Sequence, residues 1–121
     1  MAIKLNPKNA KAYLSRGISK FHLNGYTKAL KDFNKSLELD NMDANTYCYQ
    51  GTTKMGLRYY KEAIQDFNKA IELNSNLTAA FHNRGSAKYI LGDKTGACTD
   101  WEQANTLGDE DAYHLLNRSC K

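Results

Sequence analysis

The sequence predicts an all-α fold, a stack of helical hairpins, and three observations lead there. A period of 34 residues runs along the chain. Apolar residues within each period recur three or four apart, and no segment shows the sustained apolar–polar alternation of a strand.

The period is read from residues in one register: Gly17, Gly51 and Gly85; Lys20, Lys54 and Lys88; Leu23, Leu57 and Leu91; Ala29, Ala63 and Ala97; Asp32, Asp66 and Asp100; Leu39, Leu73 and Leu107. Aromatic side chains follow it too, with Tyr13, Tyr47 and Phe81 in one set and Phe33, Phe67 and Trp101 in another.

A first helix is expected over 10–23, where Tyr13, Leu14, Gly17, Ile18 and Phe21 have helical spacing. Gly25 ends it, and Ala29, Leu30, Phe33 and Leu37 define a second over 26–39. The polar run Asp40 to Asp43 favours turns and caps, and closes the first unit. One period on come helices over 44–57 and 60–73, then 78–91 and 94–107. A last helix over 110–119 carries Ala112, Leu115 and Leu116 and would cap the stack. The units are therefore 10–43, 44–77 and 78–108, followed by a capping segment 109–121. Before them, Ala2-Ile3-Lys4-Leu5-Asn6 aligns with Ser36-Leu37-Glu38-Leu39-Asp40 and with Ala70-Ile71-Glu72-Leu73-Asn74. Residues 1–9 read as the tail of a truncated upstream repeat, either a piece of a longer array or a start of translation within a degenerate repeat.

With an aromatic, a glycine, an alanine and a phenylalanine or tryptophan at fixed places, the units resemble tetratricopeptide repeats over nearly the whole chain. The resemblance implies a right-handed α-solenoid of three hairpins plus a capping helix. Small residues at Gly51 and Ala63 would let paired helices approach closely, so leucine at either place should wedge the hairpin open. Three departures from the family pattern stand out. Arg16, Gln50 and Arg84 replace the large apolar residue before each glycine, Lys20, Lys54 and Lys88 replace the following aromatic, and only Pro7 matches the inter-repeat proline.

The first two departures have a structural reading. In a hairpin turning near Gly25, Arg16 and Asp32 lie about equally far from the turn, at ~1.5 Å per residue. They are expected to pair, Arg84 and Asp100 to repeat the pair, Gln50 and Asp66 to form a neutral version, and each repeat lysine to join from a small vertical offset. Identical placement in all three units favours a network that fixes hairpin register over acid–base chemistry.

Cys98 precedes Gly108 by ten residues and Cys120 follows it by twelve, so both end at similar heights if the chain turns there. Two readings stand open: a disulfide, which would imply an exported setting, or two reduced thiols. The run Gly96-Ala97-Cys98, Asp100-Trp101, Leu107-Gly108 and Cys120 also resembles the closing repeat of some bacterial family members. The compartment is left between the cytoplasm and bacterial export, with the periplasm favoured if the cysteines are bonded.

Composition and motifs narrow the function. The net charge of +4 is small and the lysines are spread among acids, which argues against a nucleic-acid groove. No apolar run approaches the ~20 residues of a membrane helix, and no signal peptide is visible. There is no close metal-ligand spacing, nucleophile elbow or phosphate loop, so no catalytic residue, metal or cofactor is assigned.

What remains is a protein or peptide interaction module. By resemblance, the first helices line a concave groove, here carrying Lys11, Leu14, Ile18, Phe21 and His22, then Asn45, Cys48, Tyr49, Thr52 and Met55, then His82, Asn83, Ser86, Tyr89 and Ile90. Phe21, Tyr49, Met55 and Tyr89 would bury ligand side chains, and Lys11, Asn45, His82 and Asn83 would orient its backbone or a carboxylate. Some family members bind acidic C-terminal peptides through a lysine–asparagine–arginine clamp. Leu14, Ile18, Tyr49, Ala79 and Asn83 occupy its positions here, so no such clamp is expected. The alternative is an architectural spacer that self-associates end to end through Ala2, Ile3 and Leu5.

Overall fold

The computed structural model describes residues 9–120. Seven α-helices follow one another: α1 Ala10–His22, α2 Tyr26–Leu39, α3 Ala44–Gly56, α4 Tyr60–Leu73, α5 Thr78–Ile90, α6 Lys94–Thr106 and α7 Glu110–Ser119. Each lies within one residue of its expected span. The stretch read as an upstream repeat tail, with Ala2, Ile3, Leu5 and Pro7, lies outside the described residues apart from Asn9.

The turns between paired helices share one hydrogen-bonding scheme. After α1 the N–H of Asn24 donates to the carbonyl of Phe21 and that of Gly25 to the carbonyl of Lys20, at 2.9 and 2.7 Å. Arg58 and Tyr59, Gly92 and Asp93, and Gly108 and Asp109 repeat the pattern after α3, α5 and α6. It satisfies carbonyls left open at the helix end and needs a left-handed residue just beyond the cap. Gly92 and Gly108 take that conformation freely, while Asn24 and Arg58 hold it at φ 63 and 66°. In the first unit the reversal therefore falls on Asn24, one residue before Gly25. Asn9, Asp43, Asp93 and Asp109 cap the starts of α1, α3, α6 and α7 with side-chain oxygens.

Packing is sequential, each helix lying against the next, and the first helices also touch across units, α1 to α3 and α3 to α5. That places α1, α3 and α5 side by side on one face. Phe33, Phe67, Ala29, Ala63 and Ala97 are fully buried within the hairpins, and Ile71 links two apolar clusters, one around Phe67 and one around Trp101. The glycines meet aromatic rings. A Cβ on Gly17 would stand 2.6 Å from the Phe33 ring, one on Gly51 2.8 Å from Phe67, and one on Gly85 2.7 Å from Trp101 Nε1. The close approach expected between Gly51 and Ala63 is thus a glycine-to-ring contact, because the larger side chain one turn along the second helix fills the space the glycine leaves.

Candidate binding groove

Two lines of polar contact hold the inner helices in place. The first runs within each hairpin. Arg16 donates through Nε and Nη2 to the two oxygens of Asp32 at 2.9 and 2.6 Å, and Lys20 Nζ lies 3.0 Å from Oδ2. Arg84, Lys88 and Asp100 repeat this at 2.9, 2.6 and 3.1 Å. The second runs between hairpins: Arg84 Nη1 donates to Asn68 Oδ1 at 2.9 Å, and the Gln50 amide donates to Asn34 in the same relation.

The middle unit corrects one expectation, because Gln50 does not pair with Asp66. Its single uncharged amide serves the bond to Asn34, whereas Arg84 has enough N–H groups for both directions. Asp66 is left with Lys54, whose Nζ lies 2.9 Å from Oδ2 without the alignment of a hydrogen bond. Burial, only partly offset by Lys54, raises the Asp66 carboxyl above its ordinary range. Burial also opposes ionisation of Asp32, but there Arg16 and Lys20 outweigh it and hold the carboxyl below that range.

Against this scaffold, the inner face has a cleft of about 280 Å³ at its centre. Phe21, Asn45, Cys48, Tyr49, Thr52 and Asn83, all expected groove residues, line it together with Leu77 and Ala79. Tyr49 is held from two sides, stacked on Phe33 with centroids 5.9 Å apart and edge-on to Phe21 at 6.2 Å. Asn83 Nδ2 donates to Thr52 Oγ1 at 3.2 Å, joining α5 to α3, and Thr52 Oγ1 in turn donates to the Cys48 carbonyl. Burial pushes the Cys48 thiol up to about 11, so this wall of the cleft is neutral. The cleft is therefore mostly apolar with a few fixed polar groups. Leu77 and Ala79 were not singled out as contacts; the extended Leu77, at the entry to α5, offers no helical periodicity to mark it.

Ser86, Tyr89 and Ile90 border a second cleft of about 310 Å³, closed by Trp101, Leu115, Arg118 and Ser119. His82 lines a third with Asp111, His114, Leu115 and Arg118, and its Nδ1 lies 2.6 Å from Asp109 Oδ2, tying α5 to the start of α7. His82 is thus committed to the cap, and it lines neither the central nor the second cleft. Lys11, Leu14, Ile18, His22 and Met55 line none of these clefts. Lys11 and His22 are exposed, Leu14 and Ile18 half-buried, and Met55 packs against the Phe67 cluster.

Cys98 and Cys120 have Cα atoms 5.8 Å apart and sulfurs at bonding distance. Among the described residues, no cluster of three or more His, Cys, Asp or Glu could hold a metal ion, and no helix is long and apolar enough to cross a membrane.

Comparison with known proteins agrees with this architecture. Residues 44–77 match the family model for the tetratricopeptide repeat. Over 96% of this chain and 98% of the other, the structure superposes on the Arabidopsis OM64 TPR domain with a TM-score of 0.91 at 21% identity. The first TPR of Spaghetti (RPAP3), bound to the HSP90 peptide SRMEEVD, matches at TM-score 0.89 and 22% identity, covering 98% and 96% of the two chains. The first TPR domain of human RPAP3 gives 0.88 and 23%, covering 95% and 92%. At these identities the superpositions show a shared fold alone. No curated protein matches the chain.

Proposed function

We propose that this chain, a tetratricopeptide-repeat protein, is a peptide-binding interaction module whose ligand lies along α1, α3 and α5. The observation that carries the proposal is the central cleft, where six side chains from three helices converge around a Tyr49 ring already fixed by Phe33 and Phe21. A preorganised aromatic loses little freedom on binding, which makes it an effective anchor. That neighbours of the same fold are bound to HSP90 and HSP70 peptides supports a peptide as the ligand.

The side chains favour a different peptide chemistry from the lysine–asparagine–arginine clamp. Leu14, Ile18, Tyr49, Ala79 and Asn83 stand at the clamp positions, and among the described residues none that lines the central cleft is formally charged. An apolar ligand side chain fits against Tyr49, Leu77 and Ala79, with Asn45, Thr52 and Asn83 available to its backbone.

Affinity capture from the native source, with wild-type chain and a Tyr49→Ala/Tyr89→Ala variant of unchanged helicity, tests this. One captured protein should be lost with the variant. Capture unaffected by the two tyrosines, but abolished by Lys11→Glu, would contradict the apolar-anchor reading.

A further inference from the structure

We propose that the second cleft is a composite seat for an apolar side chain and a neighbouring carboxylate of the bound peptide, with Arg118 holding the carboxylate; this rests on the reading that the inner face binds a peptide. Its floor is prepared for an apolar group. Tyr89 is 41% exposed yet stacked at 5.5 Å on Trp101, which is 3% exposed, and Ile90 beside it is 56% exposed. Leu115 closes the far side from α7.

Among the described residues, Arg118 is the one charged residue that lines this cleft. It stands one period after Arg84, and both Arg84 and Arg16 grip a carboxylate through two N–H groups. Among the described residues Arg118 makes no ion pair. The ladder between hairpins suggests a competing internal role. Gln50 and Arg84 each bond to the residue 16 positions earlier, and for Arg118 that residue is Glu102. Arg118 instead borders both the second cleft and the adjoining one, where Asp111 would repel an anion back towards the second.

A guanidinium fork beside apolar surface recognises a carboxylate at two points, more strongly and with more directionality than an ammonium would. The complementary occupant is a short extended segment of another protein. It places an aliphatic or aromatic side chain on the Tyr89–Trp101 shelf and a carboxylate under Arg118. That carboxylate comes from an aspartate or glutamate side chain or from a chain terminus. Asn83 and Ser86, one turn apart on α5, border the central and second clefts, so one segment crossing that turn would occupy both.

The test screens an immobilised random octapeptide library with the intact chain and measures selected peptides by fluorescence anisotropy. Selected peptides should carry a carboxylate within a residue or two of an apolar side chain. Replacing that acid by its amide should weaken binding about tenfold. Amidating the C-terminus as a separate arm tells a terminal carboxylate from a side chain, and neither arm depends on a protein variant folding. Arg118→Gln should produce the same loss without adding to it, and Glu102→Gln should leave affinity unchanged. Selection without acidic preference, full binding by Arg118→Gln, or equal weakening by Glu102→Gln would overturn the inference while Tyr49-dependent binding persisted. Selected peptides that ignored Tyr49→Ala would instead strike at the broader peptide-groove reading.

Discussion

Arg84 holds both oxygens of Asp100, at 2.9 and 2.6 Å, while also reaching Asn68 on the preceding hairpin at 2.9 Å. Gln50, one period earlier, reaches only Asn34 and leaves Asp66 to Lys54. Substituting arginine at this one position would extend the carboxylate pairing to all three units. Gln50→Arg is expected to raise stability at neutral pH by about 1–2 kcal/mol, the scale of hydrogen bonds to a buried charge. Urea unfolding measures it, and a lower midpoint would show that the middle hairpin has no room for the fork.

The two carboxylates should respond to acid with opposite sign. Asp32 has a folded value below its ordinary 3.8, so it adds stability above that pH which is lost as pH falls through the folded value. Asp66 has a folded value above 3.8, so charging it costs stability as pH rises from there through the folded value. As pH rises from about 2 to 7, Asp32→Asn should therefore lose ground on wild type below its ordinary 3.8, and Asp66→Asn should gain ground above that value. Urea midpoints across that range would refute the assignment if the two slopes had the same sign.

Gly51→Ala should destabilise the chain by about 1–3 kcal/mol, because its Cβ would stand 2.8 Å from Phe67 and the ring is buried on all sides. Adding Phe67→Leu should recover part of the loss. Thermal unfolding of the single and double variants measures the coupling, and simple additivity would contradict the ring as the obstacle.

The period made the fold legible because repeated residues such as Gly17, Gly51 and Gly85 report one contact made in every unit, here against the rings of Phe33, Phe67 and Trp101. Helix ends followed from it, and so did the Arg16–Asp32 and Arg84–Asp100 pairs, since both partners sit at equal heights in a hairpin. The Gln50–Asn34 bond was hidden, because contacts between hairpins depend on how units are offset, which spacing within one unit does not reveal. In the groove, Phe21, Asn45, Cys48, Tyr49, Thr52 and Asn83 were legible as residues on the faces of first helices. Arg118 was not, because it belongs to α7, read only as a cap, and the His82–Asp109 contact was missed for the same reason.

The cysteines divide into a pair and a single buried thiol. Closing a loop between positions separated by 22 residues should stabilise the chain by about 3 kcal/mol. Reductant should lower the urea midpoint of the wild type and leave Cys98→Ser/Cys120→Ser unchanged. Cys48, with its thiol at about 11, should resist alkylation at neutral pH in the native chain and react once it is unfolded. Mass spectrometry after alkylation in denaturant without reductant should find one modified cysteine per chain, and three would refute the pairing.

Amide chemical-shift mapping of a captured or library-selected peptide on the isotopically labelled chain tests the binding face most directly. The shifts should cluster on Phe21, Asn45, Tyr49, Thr52 and Asn83, and extend along α5 towards Tyr89. Shifts confined to the outward faces of α2, α4 and α6, with Tyr49 and Asn83 unmoved, would contradict a ligand on the inner helices.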